Sequence, residues 1–244
     1  MKAKSKLTKQ FCSLLFCIIS LYSFSTPNKK VYFIPTLHGI HQANKSYSYD
    51  SLKQLVNHLN PDVIAVEIRQ EDINGDSLYL SKNYPYEMRM MKYWLPNAKI
   101  VGFDWLGDDI EGKPIPNNYW KDISSIKKSE RELQADSLYA TKCAACDTFR
   151  NQRIGILKDN SLKEILKSKD AQFARQFYDC LADQLNGTKH EDILKFYDKR
   201  NEKILINIKK VIKNNKNKTI VIITGDDHYI YLQDSFHHDL IYKN

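Results

Sequence analysis

Apolar positions fall into short unbroken runs separated by longer stretches of helical spacing. Residues 31–37 (VYFIPTL) are apolar on both alternating faces and stop at His38; residues 61–66 (PDVIAV) do the same and stop at Glu67. Between them, DSLKQLVNHL places Leu52, Leu55, Val56 and Leu59 at helical intervals, with Asp50 placed to cap. This predicts a strand–helix–strand unit whose strands are parallel neighbours in a sheet covered on both faces. Two more short runs follow: residues 99–105 (KIVGFDW), carrying Asp104 near their end, and residues 219–224 (TIVIIT), leading into Gly225-Asp226-Asp227-His228. Met88, Met91 and Trp94 form a helical stripe of the kind that fills cores. Residues 107–118 read as an exposed loop, and residues 120–187 show helical spacing with little strand signal. A last long helix over 190–213 carries Ile193, Tyr197, Ile204, Ile208 and Val211 on one stripe, with Arg200 in line. An arginine on a buried stripe needs a carboxylate or a substrate anion, and a purely structural ion pair meets that need equally well.

The order of elements predicts an α/β fold. Its central sheet is mostly parallel with helices on both faces, in two related strand–helix halves with a helical middle insertion at about residues 119–187. The length suits one domain over residues 26–244. Residues 1–25 read as a secretory signal peptide: a lysine-rich start, an uncharged apolar run over 11–24 and a Ser-rich exit. That apolar run is short of the roughly 18 residues needed to span a bilayer. The residues before Cys17 are large, a poor lipid-attachment signal, so membrane association is expected only if the chain is lipid-anchored. Export to the periplasm or the extracellular space is therefore the expected localisation. Lys2, Lys4, Lys6 and Lys9 supply half of the formal net charge of +8, and no nucleic-acid-binding motif accompanies the rest. Cys143-Ala-Ala-Cys146 lies in a helical pattern with no second pair to complete a zinc site. Small buried cysteines are the simpler reading there, with a bridge within the pair or to Cys180 open after export.

Four strand ends thus carry His38, Glu67, Asp104 and His228. In parallel sheets, ligands bind beyond the carboxyl ends of the strands. Two imidazoles and a carboxylate gathered at one such edge are the ligand set of a catalytic divalent metal (Mn, Co or Zn) with an open position for water. His38, Glu67 and His228 are the expected metal ligands, and Glu67 and Arg200 the expected catalytic residues. Glu67 serves either as ligand or as general base, and Arg200 either stabilises an oxyanion or pairs with Glu67. Asp226 and Asp227 either orient His228 or cap the following helix, and Asp104 is a strand-end loop residue or a further ligand.

Pro35-Thr36-Leu37-His38, residues 61–67 (PDVIAVE), Lys199-Arg200-Asn201 and Gly225-Asp226-Asp227-His228 together resemble the TraB/PrgY/TIKI family. That family is marked by two Gly-x-x-His motifs, a glutamate ending an early strand and an Arg-Asn pair on a late helix. The likeness covers residues 31–104 and 196–234 and leaves out the helical middle. It implies metal-dependent peptidase activity for the TIKI branch, on a peptide or a small amide or ester substrate. Related erythromycin-esterase-like enzymes and haem-binding lipoproteins make a non-catalytic haem- or peptide-binding protein the alternative. Pro35 departs from the first glycine, and His41, three residues after His38, offers a second candidate ligand.

Overall fold

A computed structural model describes residues 30–236. The expected signal peptide at 1–25 and the tail histidines His237 and His238 lie outside the described residues. Four strands, β1 (Val31–Thr36), β2 (Val63–Val66), β3 (Lys99–Gly102) and β4 (Ile220–Gly225), form one sheet in the order β1-β4-β2-β3, and every pairing is parallel. The expected α/β fold is therefore present, with one change. β1 and β2 flank α1 (Tyr49–Leu59) in sequence, but they are not neighbours, because β4 lies between them. Four consecutive apolar residues in β4 (Ile220 to Ile223) suit this central place, buried on both faces.

Register sets the site. Thr36 sits opposite Gly225, Val66 opposite Ile223 and Val66 opposite Gly102, so His38, Glu67, Asp104 and His228 all follow strands that end at one edge. One face of the sheet (Ile34, Ile64, Val66, Val221, Ile223) packs on Leu52 and Val56 of α1 and on Met88 and Met91 of α3 (Tyr86–Trp94), which follows the short α2 (Ser77–Asn83). The methionine stripe is core, as its spacing predicts. The helical middle comprises α4 (Ser125–Ala135), α5 (Ser137–Ala144), α6 (Asp147–Asp159), α7 (Leu162–Lys167) and α8 (Asp170–Leu185). The opposite sheet face (Phe33, Val63, Ala65, Ile220, Ile222) packs on Ile204, Ile208 and Val211 of α9 (Asp192–Asn214) and on Leu232 of α10 (Asp226–Ser235).

Two local expectations change. Ser48, rather than Asp50, caps α1 by accepting the Ser51 N–H, which leaves Asp50 in the first turn. Cys146 and Cys180 are not free thiols but a disulfide joining the start of α6 to α8, while Cys143 is free and half-buried. Among the described residues no helix is long and apolar enough to cross a membrane.

Candidate functional site

Glu67 is the hub. It leaves β2 into a buried position, where its Oε2 accepts the Gly225 N–H (2.8 Å) and the Thr224 hydroxyl (3.1 Å) from the top of β4. Its Oε1 accepts from Arg200 Nη2 at 3.0 Å and lies 3.4 Å from His228 Nε2. Burial on its own would raise the carboxyl pKa, but His228, Arg200, His38 and the Gly225 N–H together hold it down at about 2.

Arg200 reaches down from the buried side of α9 and bridges two carboxylates. Besides Glu67 it donates to Asp104 through Nε and Nη2, each at 3.1 Å. Asp104 is thus neither a solvated loop residue nor a bystander. Its burial, with Glu67 nearby, outweighs the guanidinium and lifts its carboxyl to about 6. Next along α9, Asn201 Oδ1 accepts a hydrogen bond from His228 Nδ1–H at 2.6 Å. That bond fixes the tautomer and leaves Nε2 bare towards Glu67. Burial first, then the Arg200 charge, pushes the His228 pKa to about 4 against the pull of Glu67, so the ring is neutral at ordinary pH.

His38 follows β1 with its backbone in the left-handed region (φ 48°), rare for a residue bearing a side chain. Tyr49 donates to its carbonyl at 2.9 Å, and its Nδ1 lies 2.7 Å from Glu87 Oε1. The ring lies over Gly225, where an added Cβ would sit 2.7 Å from His38 Nε2 and 3.5 Å from Glu67 Oε2. This glycine is required by close approach, since its φ of −57° is open to any residue. Burial works to lower the His38 pKa, but the Glu87 hydrogen bond and the Glu67 charge override it and raise it to about 9.

These placements resolve the open alternatives. His41 is not a ligand: it is buried, its Nε2 accepts the Leu37 N–H (2.9 Å) and its Nδ1 donates to the Tyr47 carbonyl (2.6 Å), a strut for the turn after β1. Asp226 and Asp227 do not orient His228, because Asn201 does. Nor is either the cap of α10; they stand in its first turn and hold Arg153 of α6, which also pairs with Asp170 at 2.9 Å. Crowding by burial and by Asp227 lifts the Asp226 carboxyl to about 7 despite Arg153.

Sequence reasoning missed Glu87, whose signal was available: it precedes Met91 by four and Trp94 by seven, putting a carboxylate on the core stripe of α3. The role of Asn201 was visible only as a neighbour of Arg200. Arg153, in a helix of mixed polarity, gave no sign of its partners.

A cleft of about 280 Å³ opens on the site, lined by His38, Glu67, Asp104 and Arg200 on its floor and by Tyr84, Trp120, Phe196 and Tyr197 on its walls. A second, larger hollow of about 410 Å³ runs along β3 and meets the site only at Asp104. Comparisons with family models, with curated proteins and with solved structures found no match.

Among the described residues, no group of three or more His, Cys, Asp or Glu side chains is gathered as a ready metal site. The donor chemistry nevertheless fits a divalent ion. Both imidazoles have Nδ1 tied to an oxygen acceptor, as metal-binding histidines do; His228 offers an unprotonated Nε2, whereas His38, raised to about 9, would have to give up its Nε2 proton to join. The 3.4 Å between His228 Nε2 and Glu67 Oε1 is also the ligand–ligand edge expected of a tetrahedral site with bonds of roughly 2.0–2.2 Å. The Arg200 contact to the same oxygen competes for it.

Proposed function

We propose that the chain is an exported hydrolase of the TraB/PrgY/TIKI type that cleaves a peptide, or a related small amide or ester, in the cleft over Glu67. The observation that carries this reading is that His38, Glu67 and Arg200 line one aromatic-walled cleft, with His228 against Glu67 behind them at 3.4 Å. A structural salt bridge alone would explain Arg200 and its two carboxylates. It would not explain two histidines, each held by Nδ1, with His228 Nε2 turned to Glu67 and the His38 ring over Gly225 beside it.

A divalent ion held by His38, Glu67 and His228 would supply a bound water of lowered pKa and a Lewis acid for the scissile carbonyl. Asn201 keeps His228 Nε2 unprotonated towards Glu67. Asp104 balances the Arg200 charge, so the guanidinium is committed to the floor of the site before an oxyanion forms. Tyr84, Trp120, Phe196 and Tyr197 offer flat apolar walls to substrate side chains and limit water around the reacting bond.

Those same walls favour a second reading, a non-catalytic binder of a peptide or of haem. The purified chain distinguishes them. Peptide-library digestion and a panel of esters, with and without Mn, Co or Zn, should show cleavage that Glu67→Gln abolishes. Cleavage that persists in chelator would assign water activation to Glu67 and His228 without an ion. A Soret band with no bound divalent metal and no cleavage would overturn the hydrolase reading.

A further inference from the structure

We propose that Glu87 is a positioning residue of this site: from α3 it holds the His38 ring by Nδ1, so that Nε2 stays over Gly225 beside Glu67. The inference rests on the hydrolase reading for its catalytic meaning, and on geometry for its substance.

Glu87 stands in the first turn of α3, next to Met88 and one turn before Met91, and its side chain is wholly excluded from solvent. An ionisable group at such a place costs several kcal/mol unless it is fully paired. Its pairing is lopsided. Oε1 accepts from both His38 Nδ1 (2.7 Å) and the Thr36 hydroxyl (3.1 Å), while Oε2 is buried without a hydrogen-bond partner. An apolar side chain would serve the packing of α3 on the sheet better, as Met88 and Met91 do. The carboxylate is matched instead to two residues at the end of β1, one of them His38.

His38 shows why such a hold is needed. Its backbone takes a left-handed turn, and Tyr49 ties its carbonyl from α1. Those two constraints fix the Cα but leave the ring free to swing about its side-chain torsions. The Glu87 bond removes that freedom. It also places the Nδ1 proton away from the cleft, leaving Nε2 as the atom that faces it. Thr36 steadies Glu87 in turn, so the chain of contacts runs from the strand through the helix and back to the histidine two residues on.

The test uses the full chain without added metal. Proton NMR should show a slowly exchanging, far-downfield imidazole proton that disappears in His38→Ala and in Glu87→Ala. In Glu87→Gln, whose amide oxygen still accepts, it should persist with an upfield shift. Amide fingerprints report whether each variant is folded, and Glu87→Gln keeps the test decisive if Glu87→Ala is not. With a substrate from the digestion screen, Glu87→Ala should lower kcat on the order of 10–100-fold with little change in KM, and Glu87→Gln should recover part of that loss. The proposal is overturned if no downfield proton depends on His38, if that proton survives unchanged in a folded Glu87→Ala, or if Glu87→Ala turns over at the wild-type rate. Failure of the hydrolase reading is seen separately, as a wild-type chain that cleaves nothing while the His38 proton still responds to Glu87.

Discussion

Replacing Gly225 with alanine isolates the contact between the two halves of the site. An alanine Cβ would lie 2.7 Å from His38 Nε2, about 0.7 Å inside the 3.4 Å at which ordinary contact begins. The backbone would accept the change, since φ is −57° and ψ 150°. The ring tip of a free histidine would simply move aside, but this one is held by Glu87 at 2.7 Å. Overpacking against a fixed group costs typically 1–3 kcal/mol. Removing glycine from the unfolded ensemble returns about 0.4–1 kcal/mol. The expected balance is a net loss of about 1 kcal/mol, or roughly 2–4 °C in Tm for a chain of this size. In a His38→Ala background the clash is gone and only the gain remains, so the sign should reverse. Thermal unfolding of the four chains of this double-mutant cycle is the assay. If Gly225→Ala has the same sign and size with and without the imidazole, His38 does not rest over Gly225 and the geometry of the site is wrong.

Arg200→Met should cost about 3–5 kcal/mol, because it strands Glu67 and Asp104 in a buried pocket; denaturant titration showing a loss under about 1 kcal/mol would count against the clamp. Between pH 6.5 and 4 the His228 contribution should fall by about 3 kcal/mol, since unfolded His228 binds a proton that the fold, with its pKa near 4, refuses; Asp104 and Asp226, raised to about 6 and 7, run the other way, so the check is the difference between pH-dependent melts of the wild type and His228→Gln. Glu67 adds to acid unfolding between pH 4.5 and about 2, whereas the contribution of protonated His38 is full below pH 6.5 and fades through about 9, so the melts should show a maximum between the two limbs. Reduction of Cys146–Cys180, separated by 34 residues, should lower stability by about 3–4 kcal/mol; an unchanged Tm in reductant would show that the bridge constrains nothing.

The parts of this molecule legible in its sequence were those with a local signature. Unbroken apolar runs marked all four strands, and an ionisable residue near the end of each marked the functional edge, because parallel strands place their ends together. Arg200 stood out as a charge on the buried stripe of α9. Strand order was illegible, since nothing in β1, α1 or β2 announces that a strand some 160 residues later will come between them; only the doubly buried character of β4 hints at it. The partners of charged residues were hidden for the same reason. Asp226 and Asp227 look like escorts for His228 directly after them, yet they face Arg153 across 73 and 74 residues. His38 and His41 are indistinguishable by spacing, and only the turn after β1, which buries one and raises the other over Gly225, separates them.

The central place of β4 has a kinetic consequence. Val31 pairs with Ile220, and Val63 pairs with the same residue, so β1 finds its strand partner, and β2 its second after β3, only near the end of the described chain. Until then the β1–α1–β2 segment has no ladder linking its two strands, and closing the sheet means paying the loop entropy of a long intervening helical segment. Docking of β1 should therefore be late, while β2 and β3 can pair before β4 arrives. The same event that closes the sheet brings Thr224, Gly225 and His228 to Glu67.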